Sequence, residues 1–452
     1  MNADNGAASS AASVPSAQVL WCTQPGSAVG GNLSIPGDKS ISHRALLFGG
    51  IAEGRTEIDG FLPGADCLAT LRALVALGVR VEQPEPTRVI VHGVGRQGLR
   101  AAAQSVDLGN AGTAMRLFMG LLVGQNFDSI LIGDQSLMRR PMERAAEPLR
   151  RMGAHIDTTG GCPPIRIRGR ATLNAIDYAM PVASAQVKSA LLIAGLYARG
   201  MTRVGEPAPS RDHTERMLGR FGVTVLREAG GVALRGGQTL RATSIQVPAD
   251  FSSAAFFIVA GLLGRGPGLT LNRIGMNPTR TGLLDILRLM GANIEVRAAG
   301  TQGGEPIADL LILPSALRAV TVPLALVPLA IDELPVFFIA AACAEGESLL
   351  RGAAELRVKD SDRLATMASG LAALGVDHEL LADGMRIRGR AQGAAFRAGR
   401  VDSHGDHRVA MSFAVASLRA AGPIEIGDAA NVATSFPEFA DTARQAGIVL
   451  HT

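Results

Sequence analysis

The sequence predicts an α/β protein with two similar domains, each made of three repeated units. The chain has 452 residues, which is too long for one ordinary core and suits two domains of roughly 200 residues each. Its composition is globular, with 47% hydrophobic and 19% charged residues. An amphipathic helical segment, a glycine and a strand-like segment recur six times along the chain. Together, these observations favour repeated helix and strand units over a single large core.

The repeats share a glycine placed directly after a predicted helix, where a left-handed C-cap is expected. The glycines are Gly78, Gly153, Gly222, Gly291, Gly375 and Gly447, spaced 69 to 84 residues apart. Such a spacing accommodates a small βαβ-type unit with an extra hairpin. Six units in two domains therefore predict three units per domain.

Two segments are candidate joints between the domains: Pro36-Gly37, and the Val-Pro-Ala-Asp run at 247–250. They predict a first domain at 37–248 and a second domain formed by 18–36 together with 249–452. Residues 1–17 are rich in Ala and Ser, without the basic start and apolar stretch of a signal peptide, so we expect a disordered tail.

Composition also argues against several protein classes. The four cysteines are far apart and form no CxxC pair, so neither a disulfide framework nor a zinc site is expected. The apolar stretch around 320–345 is interrupted by prolines and by Asp332-Glu333, and a membrane protein is not expected. The net charge of +4 is dispersed, which favours an enzyme for small anions over a nucleic-acid binder. We expect a cytoplasmic location.

The basic residues are almost all arginine. Of 44 Lys and Arg residues only Lys39, Lys188 and Lys359 are lysine, which leaves 41 arginines. A general drift toward Arg explains the bias but not these exceptions. A compact ammonium approaches one atom or shares a proton in a way that the guanidinium fork cannot. The three lysines are therefore candidate functional residues, with chance retention as the alternative.

Eight segments carry residues suited to anion binding or proton transfer. They are IPGDKSISHR at 35–44, DLGNAGTAMR at 107–116, RRPMER at 139–144, VASAQVKSA at 182–190, SRDHTE at 210–215, IDELP at 331–335, ELRVKDSDR at 355–363 and HGDHRVAMSF at 404–413. The Pro of RRPMER is a plausible first helical residue. No segment is a Walker A loop, and the His404–His407 pair has no third metal ligand at a usual spacing. The residues alone predict a transferase or lyase for anionic small molecules.

In this order, the segments resemble the 5-enolpyruvylshikimate-3-phosphate synthase family from about residue 30 to 440. The resemblance implies the enolpyruvyl transferase fold, with three βαβαββ-type units per domain. It also implies transfer of the carboxyvinyl group of phosphoenolpyruvate to the 5-hydroxyl of shikimate 3-phosphate. We expect no metal or other cofactor, no nucleic-acid or membrane partner, and a monomer.

The resemblance assigns roles to residues of this chain. Shikimate 3-phosphate is expected to contact Lys39, Ser40, Arg44, Ser184, Ala185, Gln186, Arg211, Asp332 and Lys359. Phosphoenolpyruvate is expected to contact Lys39, Asn110, Gly112, Arg140, Gln186, Arg363 and Arg408. Proton transfer is expected from Lys39, Asp332, Lys359 and Asp360, with Asp332 as base for the 5-hydroxyl.

The chain departs from the family pattern at two places. Asp360 stands where the family has Glu, and the Lys that often precedes the C-terminal Thr-Phe-Pro is missing at 434–437. The motifs SAQVK at 184–188, RDHTE at 211–215 and NPTR at 277–280 resemble the second, often glyphosate-tolerant class. Gly112, however, stands where the best-known tolerant member has Ala, which leaves the glyphosate response open.

Three alternatives remain at this point. The sister transferase for a UDP-amino sugar commonly has a reactive Cys in a mobile loop, and no cysteine here lies in a matching Arg-rich loop. A protein that binds shikimate 3-phosphate without turnover is kept open by Asp360. A nucleic-acid binder is disfavoured by the dispersed charge.

Overall fold

The computed structural model describes residues 19–26, 28–169 and 172–452. The tail predicted at 1–17 lies outside the described residues. Within them, no single helix is both long and apolar enough to cross a bilayer. The pair Leu324–Ala330 and Leu334–Ala342 passes that test only when taken together, and it is bent by 119°.

The α-helices of the described chain alternate with strands along its length. They are α1 (Lys39–Ile51), α2 (Ala65–Ala76), α3 (Gly112–Leu122), α4 (Glu143–Arg151), α5 (Ala185–Gly195), α6 (His213–Arg220), α7 (Phe251–Leu263), α8 (Gly282–Leu289), α9 (Val327–Ala330), α10 (Leu334–Ala342), α11 (Arg363–Ala373), α12 (His407–Ala416) and α13 (Phe439–Ala446). Short 3₁₀ helices lie at Leu137–Arg139, Leu324–Leu326, Ala354–Val358, Ser417–Arg419 and Ala429–Thr434. Helices α1, α3, α5, α7, α10 and α12 are buried on almost every side. Such all-round apolar helices belong in a protein core.

The strands form six small sheets within the described ranges, most of them joining one parallel pair to antiparallel neighbours. Three sheets lie in the first part of the chain, and their strands in spatial order are Ser244–Gln246, Glu53–Asp59, Arg88–Val94 and Arg80–Glu85 in one, Val106–Asp107, Ser129–Ile132, Cys162–Arg168 and His155–Thr159 in the next, and Asp177–Ala179, Met201–Gly205, Gly231–Arg235 and Val225–Glu228 in the third. The strands of two further sheets are Asn293–Gln302, Glu305–Leu313, Arg265–Gly275 and Ala28–Ser34 in one, and Gly346–Leu350, Gly384–Gly389 and Asp377–Leu381 in the other. The last sheet consists of Gly399–Asp402, Ile424–Gly427, Trp21–Thr23 and Leu450–His451. The predicted repeated α/β architecture is confirmed.

The glycines that mark the repeats all adopt the left-handed conformation, with φ between 73° and 99°. In each repeat, the residue after the glycine donates its N–H to the carbonyl five residues earlier. Val79 N donates to Leu74 O at 3.0 Å in the first repeat, and Ile448 N donates to Ala443 O at 2.8 Å in the last. This is the Schellman pattern, and it ends each of these helices where the next strand must begin.

Two separate hydrophobic cores hold the described chain together. One contains buried residues between positions 41 and 247. The other combines residues 21–35 with residues between 251 and 450. The strand Ala28–Ser34 contributes to this second core because it pairs in parallel with Arg265–Gly275, more than 230 residues away.

The chain passes between the two cores twice, and the two passages lie side by side. Gly37 and Ala249 form an isolated antiparallel bridge. Asp38 N donates to Pro248 O at 2.9 Å, and Asp250 N donates to Pro36 O at 2.8 Å. A Cβ atom at Gly37 would lie 1.8 Å from the Gly60 carbonyl oxygen, so a side chain has no room at this crossing.

We expect Gly222→Ala to lower the free energy of unfolding by about 1 kcal/mol, because an L-residue is strained in the left-handed region. Gly222 has φ +83°, and nothing lies within 4 Å of the position that a methyl group would take, so crowding does not contribute. The matched control is Gly219→Ala in α6, which also faces open space without a positive φ. That change should raise stability by about 0.5–1 kcal/mol. Urea denaturation, monitored by circular dichroism, measures the free energy of unfolding of both variants. Equal changes in the same direction would contradict the explanation by left-handed strain.

Candidate active site

A cavity of about 260 Å³ lies between the two cores, and the N-terminal ends of the six buried helices surround it. Its lining residues at these ends are Lys39, Ser40, Thr113, Ser184, Ala185, Gln186, Ser252, Ser253, Asp332, His407 and Arg408. Free N–H groups and the helix dipole give a helix N-terminus partial positive charge. The fold therefore directs six such ends toward one cavity.

Polar caps place several of these helix ends. Asp38 accepts a hydrogen bond from Ile41 N at 2.8 Å and begins α1. Asp250 accepts from Ser252 N at 2.8 Å and begins α7. Asp406 caps α12 in the same way. An aspartate in this position satisfies an otherwise unpaired N–H and favours the dipole. The predicted start of α4 at Pro141 is wrong: the helix begins at Glu143, and the carbonyl of Pro141 instead accepts from Arg116 at 3.0 Å.

Most of the residues predicted for the site line the cavity. They are Lys39, Ser40, Ser184, Ala185, Gln186, Arg211, Asp332, Lys359, Asp360, Arg363 and Arg408. Within the described ranges, four predicted residues lie beside the cavity instead of lining it: Arg44, Asn110, Gly112 and Arg140.

Arg140 forms a group with its predicted neighbours at the edge of the cavity. Its guanidinium donates to the Asn110 side-chain oxygen, and Nη1 lies 2.9 Å from Asp360 Oδ1. A methyl at Gly112 would lie 3.0 Å from the same nitrogen. Asp360 therefore links this group to the cavity that it lines.

Arg44 is buried behind Ser40. It donates to the carbonyl of Ser40 at 2.9 Å, to Thr214 Oγ1 at 2.7 Å and to Ser189 Oγ at 2.9 Å. Burial lowers the pKa of this guanidinium to about 10. It keeps its charge at neutral pH and adds to the positive potential of the site from behind.

Asp332 is a largely buried carboxylate that lines the cavity. It is ion-paired to Arg211, and Oδ1 lies 3.2 Å from Arg363 Nη1 and 3.7 Å from Lys359 Nζ. Burial alone would raise its pKa. The surrounding cations outweigh burial and hold the pKa of Asp332 well below its ordinary value. The carboxylate is therefore ionised at neutral pH.

Asp360 lies between Arg140, Arg363 and His407. Burial again would raise its pKa, but Arg140, the His407 hydrogen bond and Arg363 hold it well below the ordinary value. Burial lowers the pKa of His407, which is therefore largely neutral at pH 7. Asp360, Asp406 and His407 lie close enough to suggest a metal site, yet Asp406 accepts from Arg363 at 2.7 Å and Asp360 pairs with Arg140. Both carboxylates are thus already paired with arginines, which disfavours a metal ion here.

Several residues near the cavity were missed by sequence reasoning. Asp66 Oδ2 lies 2.8 Å from Lys39 Nζ. Burial lowers the pKa of Lys39, but Asp66 and Asp360 outweigh it, and the net shift is upward. Arg280 lines the cavity and pairs with Asp38 at 2.7 Å, beneath α1. Arg280 belongs to the NPTR motif, whereas no local signal marks Asp66 beyond an acid in the first turn of α2.

Three ion pairs bridge the cavity from one core to the other. Arg211 pairs with Asp332, Arg140 with Asp360 at 2.9 Å, and Arg144 with Glu355 at 2.9 Å. The two halves are therefore drawn together over the cavity, with cations of one half facing carboxylates of the other.

Comparison with known proteins identifies the family. A sequence profile of EPSP synthase (3-phosphoshikimate 1-carboxyvinyltransferase) matches residues 23–443. A 3-phosphoshikimate 1-carboxyvinyltransferase from Alkalilimnicola ehrlichii is 59% identical over 94% of this chain and 95% of its own length. The chain belongs to the EPSP synthase family.

Other relatives of this EPSP synthase family member agree. The enzyme of the same name from Methylococcus capsulatus is 57% identical over 95% of this chain and 98% of its own length. The solved structure of EPSP synthase from Acinetobacter baumannii is 51% identical, and the match covers 96% of this chain and 99% of its own with a TM-score of 0.86. The enolpyruvyl transferase NikO from Streptomyces tendae shares the fold at 17% identity, with a TM-score of 0.75 over 96% of this chain and 98% of its own. The predicted family and enolpyruvyl transferase fold are confirmed.

None of the four cysteines, all of which the structure describes, lines the cavity. Cys22, Cys67, Cys162 and Cys343 all lie in the described ranges, are free thiols, and do not line it. Burial raises the pKa of Cys67 well above its ordinary value and that of Cys343 to about 12. A thiol that resists ionisation is a poor nucleophile.

We expect Gly112→Ala to raise the KM for phosphoenolpyruvate by roughly fivefold to tenfold, or about 1 kcal/mol. The added methyl would lie 3.0 Å from Arg140 Nη1 and 3.3 Å from Arg116 Nη1, so both guanidiniums must shift by a few tenths of an ångström. The inhibition constant for glyphosate should rise further, because this inhibitor is longer than phosphoenolpyruvate. Steady-state kinetics measures the KM for phosphoenolpyruvate and the inhibition constant for glyphosate, and Gly219→Ala is the control. Unchanged constants would show that Arg140 accommodates the methyl.

Proposed function

We infer that the chain transfers the carboxyvinyl group of phosphoenolpyruvate to the 5-hydroxyl of shikimate 3-phosphate and releases phosphate. This is a step of aromatic amino acid biosynthesis. The observation that carries the mechanism is the placement of Asp332, an ionised carboxylate, among cations that line one cavity. The site thus offers both charge for two anionic substrates and a proton acceptor.

The reaction proceeds by addition and elimination. Asp332 accepts the proton of the 5-hydroxyl while that oxygen attacks C2 of phosphoenolpyruvate and C3 gains a proton. The tetrahedral intermediate then loses a C3 proton and phosphate. Asp360, Lys359 and Lys39 lie around the same space and are the proposed groups for the C3 proton. Each such proton transfer contributes roughly 10² to 10⁴ in rate.

The two substrates use different parts of the cavity in this proposal. Shikimate 3-phosphate lies against Ser40, Arg211 and the start of α5 at 184–186, with Arg44 behind Ser40. Phosphoenolpyruvate lies against Arg363, Arg408 and the group formed by Asn110, Gly112 and Arg140. Lys39 and Gln186 lie between the two. Guanidinium groups suit this division because their paired N–H donors match carboxylate and phosphate oxygens.

Opening and closing of the cavity is proposed to occur at the two adjacent chain passages, near 36–37 and 247–250. Residues 37–248 then move against the rest of the chain. The two separate hydrophobic cores and the short crossing at Gly37 and Ala249 support this division. Closure would exclude water and align the reactants.

The remaining expectations stand as part of this proposal. The enzyme acts in the cytoplasm as a monomer on small-molecule substrates, without metal or other cofactor and without nucleic-acid or membrane partners. The dispersed charge of the sequence supports the absence of a nucleic-acid partner, and a chemistry carried by carboxylates and ammonium groups needs no metal.

Phosphate release from phosphoenolpyruvate should depend on shikimate 3-phosphate, and Asp332→Asn should lower kcat by roughly 10² to 10⁴. The amide keeps the shape of Asp332 but cannot accept the hydroxyl proton. Asp285→Asn, an exposed site in α8, is the matched control. Release with a UDP-amino sugar instead would indicate the sister transferase. Binding of shikimate 3-phosphate by calorimetry without any release would indicate a protein that has lost its chemistry.

Asp360→Glu should keep kcat within about tenfold of the wild type. Although Asp is one methylene shorter than the family Glu, Asp360 already lies 2.9 Å from Arg140 and 3.3 Å from His407. The shorter side chain therefore still reaches both of these partners. Asp360→Asn should lower kcat by roughly 10² or more, because the proton-transfer group is lost. A similar loss in both variants would mean that the site is built around the shorter side chain.

A further inference from the structure

Lys188 is buried within α5, behind the cavity, where its side chain is 1% exposed. Its Nζ lies 2.7 Å from Glu206 Oε1 and 2.7 Å from Glu215 Oε1. It also donates to the carbonyl of Ser210 at 3.4 Å. Within the described chain, Lys188 is not among the residues that line the cavity.

The two carboxylates lie at opposite ends of one segment, 206–215, which we call the acceptor loop. This segment leads from the strand Met201–Gly205 into α6. It carries Ser210 and Arg211, both of which line the cavity, and Arg211 bridges it to Asp332. A single ammonium therefore joins the beginning, the middle and the end of the segment that presents Arg211.

Neighbouring contacts fasten the same region to α5. Ser189, the next residue, shares a hydrogen bond with Thr214 Oγ1 at 2.7 Å. Arg44 donates to both of these hydroxyl groups. Glu206 also accepts a hydrogen bond from the Ser210 hydroxyl. The position of Arg211 is thus tied to α5, whose first residues line the cavity.

The geometry explains why a lysine stands here in a chain with 41 arginines among its 44 basic residues. An ammonium has three donors around one atom, which suits two carboxylates and a carbonyl that converge on a point. A guanidinium is longer and planar, and it spreads its donors over a fork. Without the ammonium, the buried Glu215 and the partly buried Glu206 would both lose their cationic partner, an unfavourable arrangement.

We propose that Lys188 is a positioning residue for the acceptor substrate: it holds the acceptor loop so that Arg211 reaches the cavity, without touching either substrate. The inference rests on the proposed function in that Arg211 serves shikimate 3-phosphate. Other segments are proposed to bind phosphoenolpyruvate, so loss of Lys188 should raise the KM values of the two substrates unequally.

The test combines steady-state kinetics with hydrogen exchange of the acceptor loop in the ligand-free protein. Lys188→Met should raise the KM for shikimate 3-phosphate by roughly 10- to 100-fold, since small displacements of positioning groups have effects of that size. The KM for phosphoenolpyruvate should change by less than about threefold, and exchange at 206–212 should increase. Lys188→Arg should not restore the KM, although it restores the charge. Arg203→Met is the matched control. It removes a cation from the adjoining strand, but the ion pair that Arg203 forms with Glu228 is exposed, and exposed ion pairs contribute little.

A neutral variant separates positioning from charge balance. Lys188→Met combined with Glu206→Gln and Glu215→Gln removes the buried charges together and should recover the melting temperature of the wild type. If its KM for shikimate 3-phosphate stays raised, Lys188 positions the loop. If the KM recovers with the melting temperature, or if both substrates weaken equally, the proposal is overturned. Unchanged exchange at 206–212 in Lys188→Met would also overturn it. A wild-type enzyme without phosphate release would contradict the proposed function instead, since the exchange result does not depend on turnover.

Discussion

Charge balance in one cavity is the constraint on which this structure depends. In the described chain, six cationic side chains line the cavity together with four carboxylates. Such a concentration of positive charge out of bulk water is tolerable only when counter-charges lie close by. Asp332 and Asp360 supply them from one half of the molecule to Arg211 and Arg140 of the other. Both pairs therefore also join the two halves of the molecule at the cavity.

The crossing of the two chain passages connects this cavity to the rest of the fold. Asp38 and Asp250 stand at the crossing, and Arg280 pairs with both, at 2.7 Å and 3.3 Å. Each aspartate also caps a buried helix, and Asp250 Oδ2 accepts from the backbone N–H of Lys39 at 3.2 Å. One buried ion-pair network therefore determines both where the two halves meet and where Lys39 lies. Breaking a single member would leave charges unpaired in the interior, which is why such networks act as units.

The three lysines share a physical environment as well as a composition signal. Lys39 lies beside Asp66, Lys188 between Glu206 and Glu215, and Lys359 3.7 Å from Asp332 and 3.9 Å from Glu355. Each ammonium thus lies within 4 Å of at least one carboxylate oxygen. Two of the lysines line the cavity, and the third supports a segment that does. The bias toward arginine made these positions visible in the sequence, but it did not reveal which carboxylates they meet.

The sequence by itself determined the features that depend on neighbours within a turn or two. The glycines at 78, 153, 222, 291, 375 and 447 end their helices as predicted, because only the residues around each one decide a left-handed cap. The family and its fold followed from ordered motifs. Tertiary structure alone decided that Arg44 lies behind Ser40, that Asp66 partners Lys39, and that Arg211 meets Asp332 from 121 positions away. It also decided that α4 begins after Pro141, whose carbonyl is taken by Arg116. These outcomes depend on distant segments packing together, and local patterns carry no signal for contacts of that range.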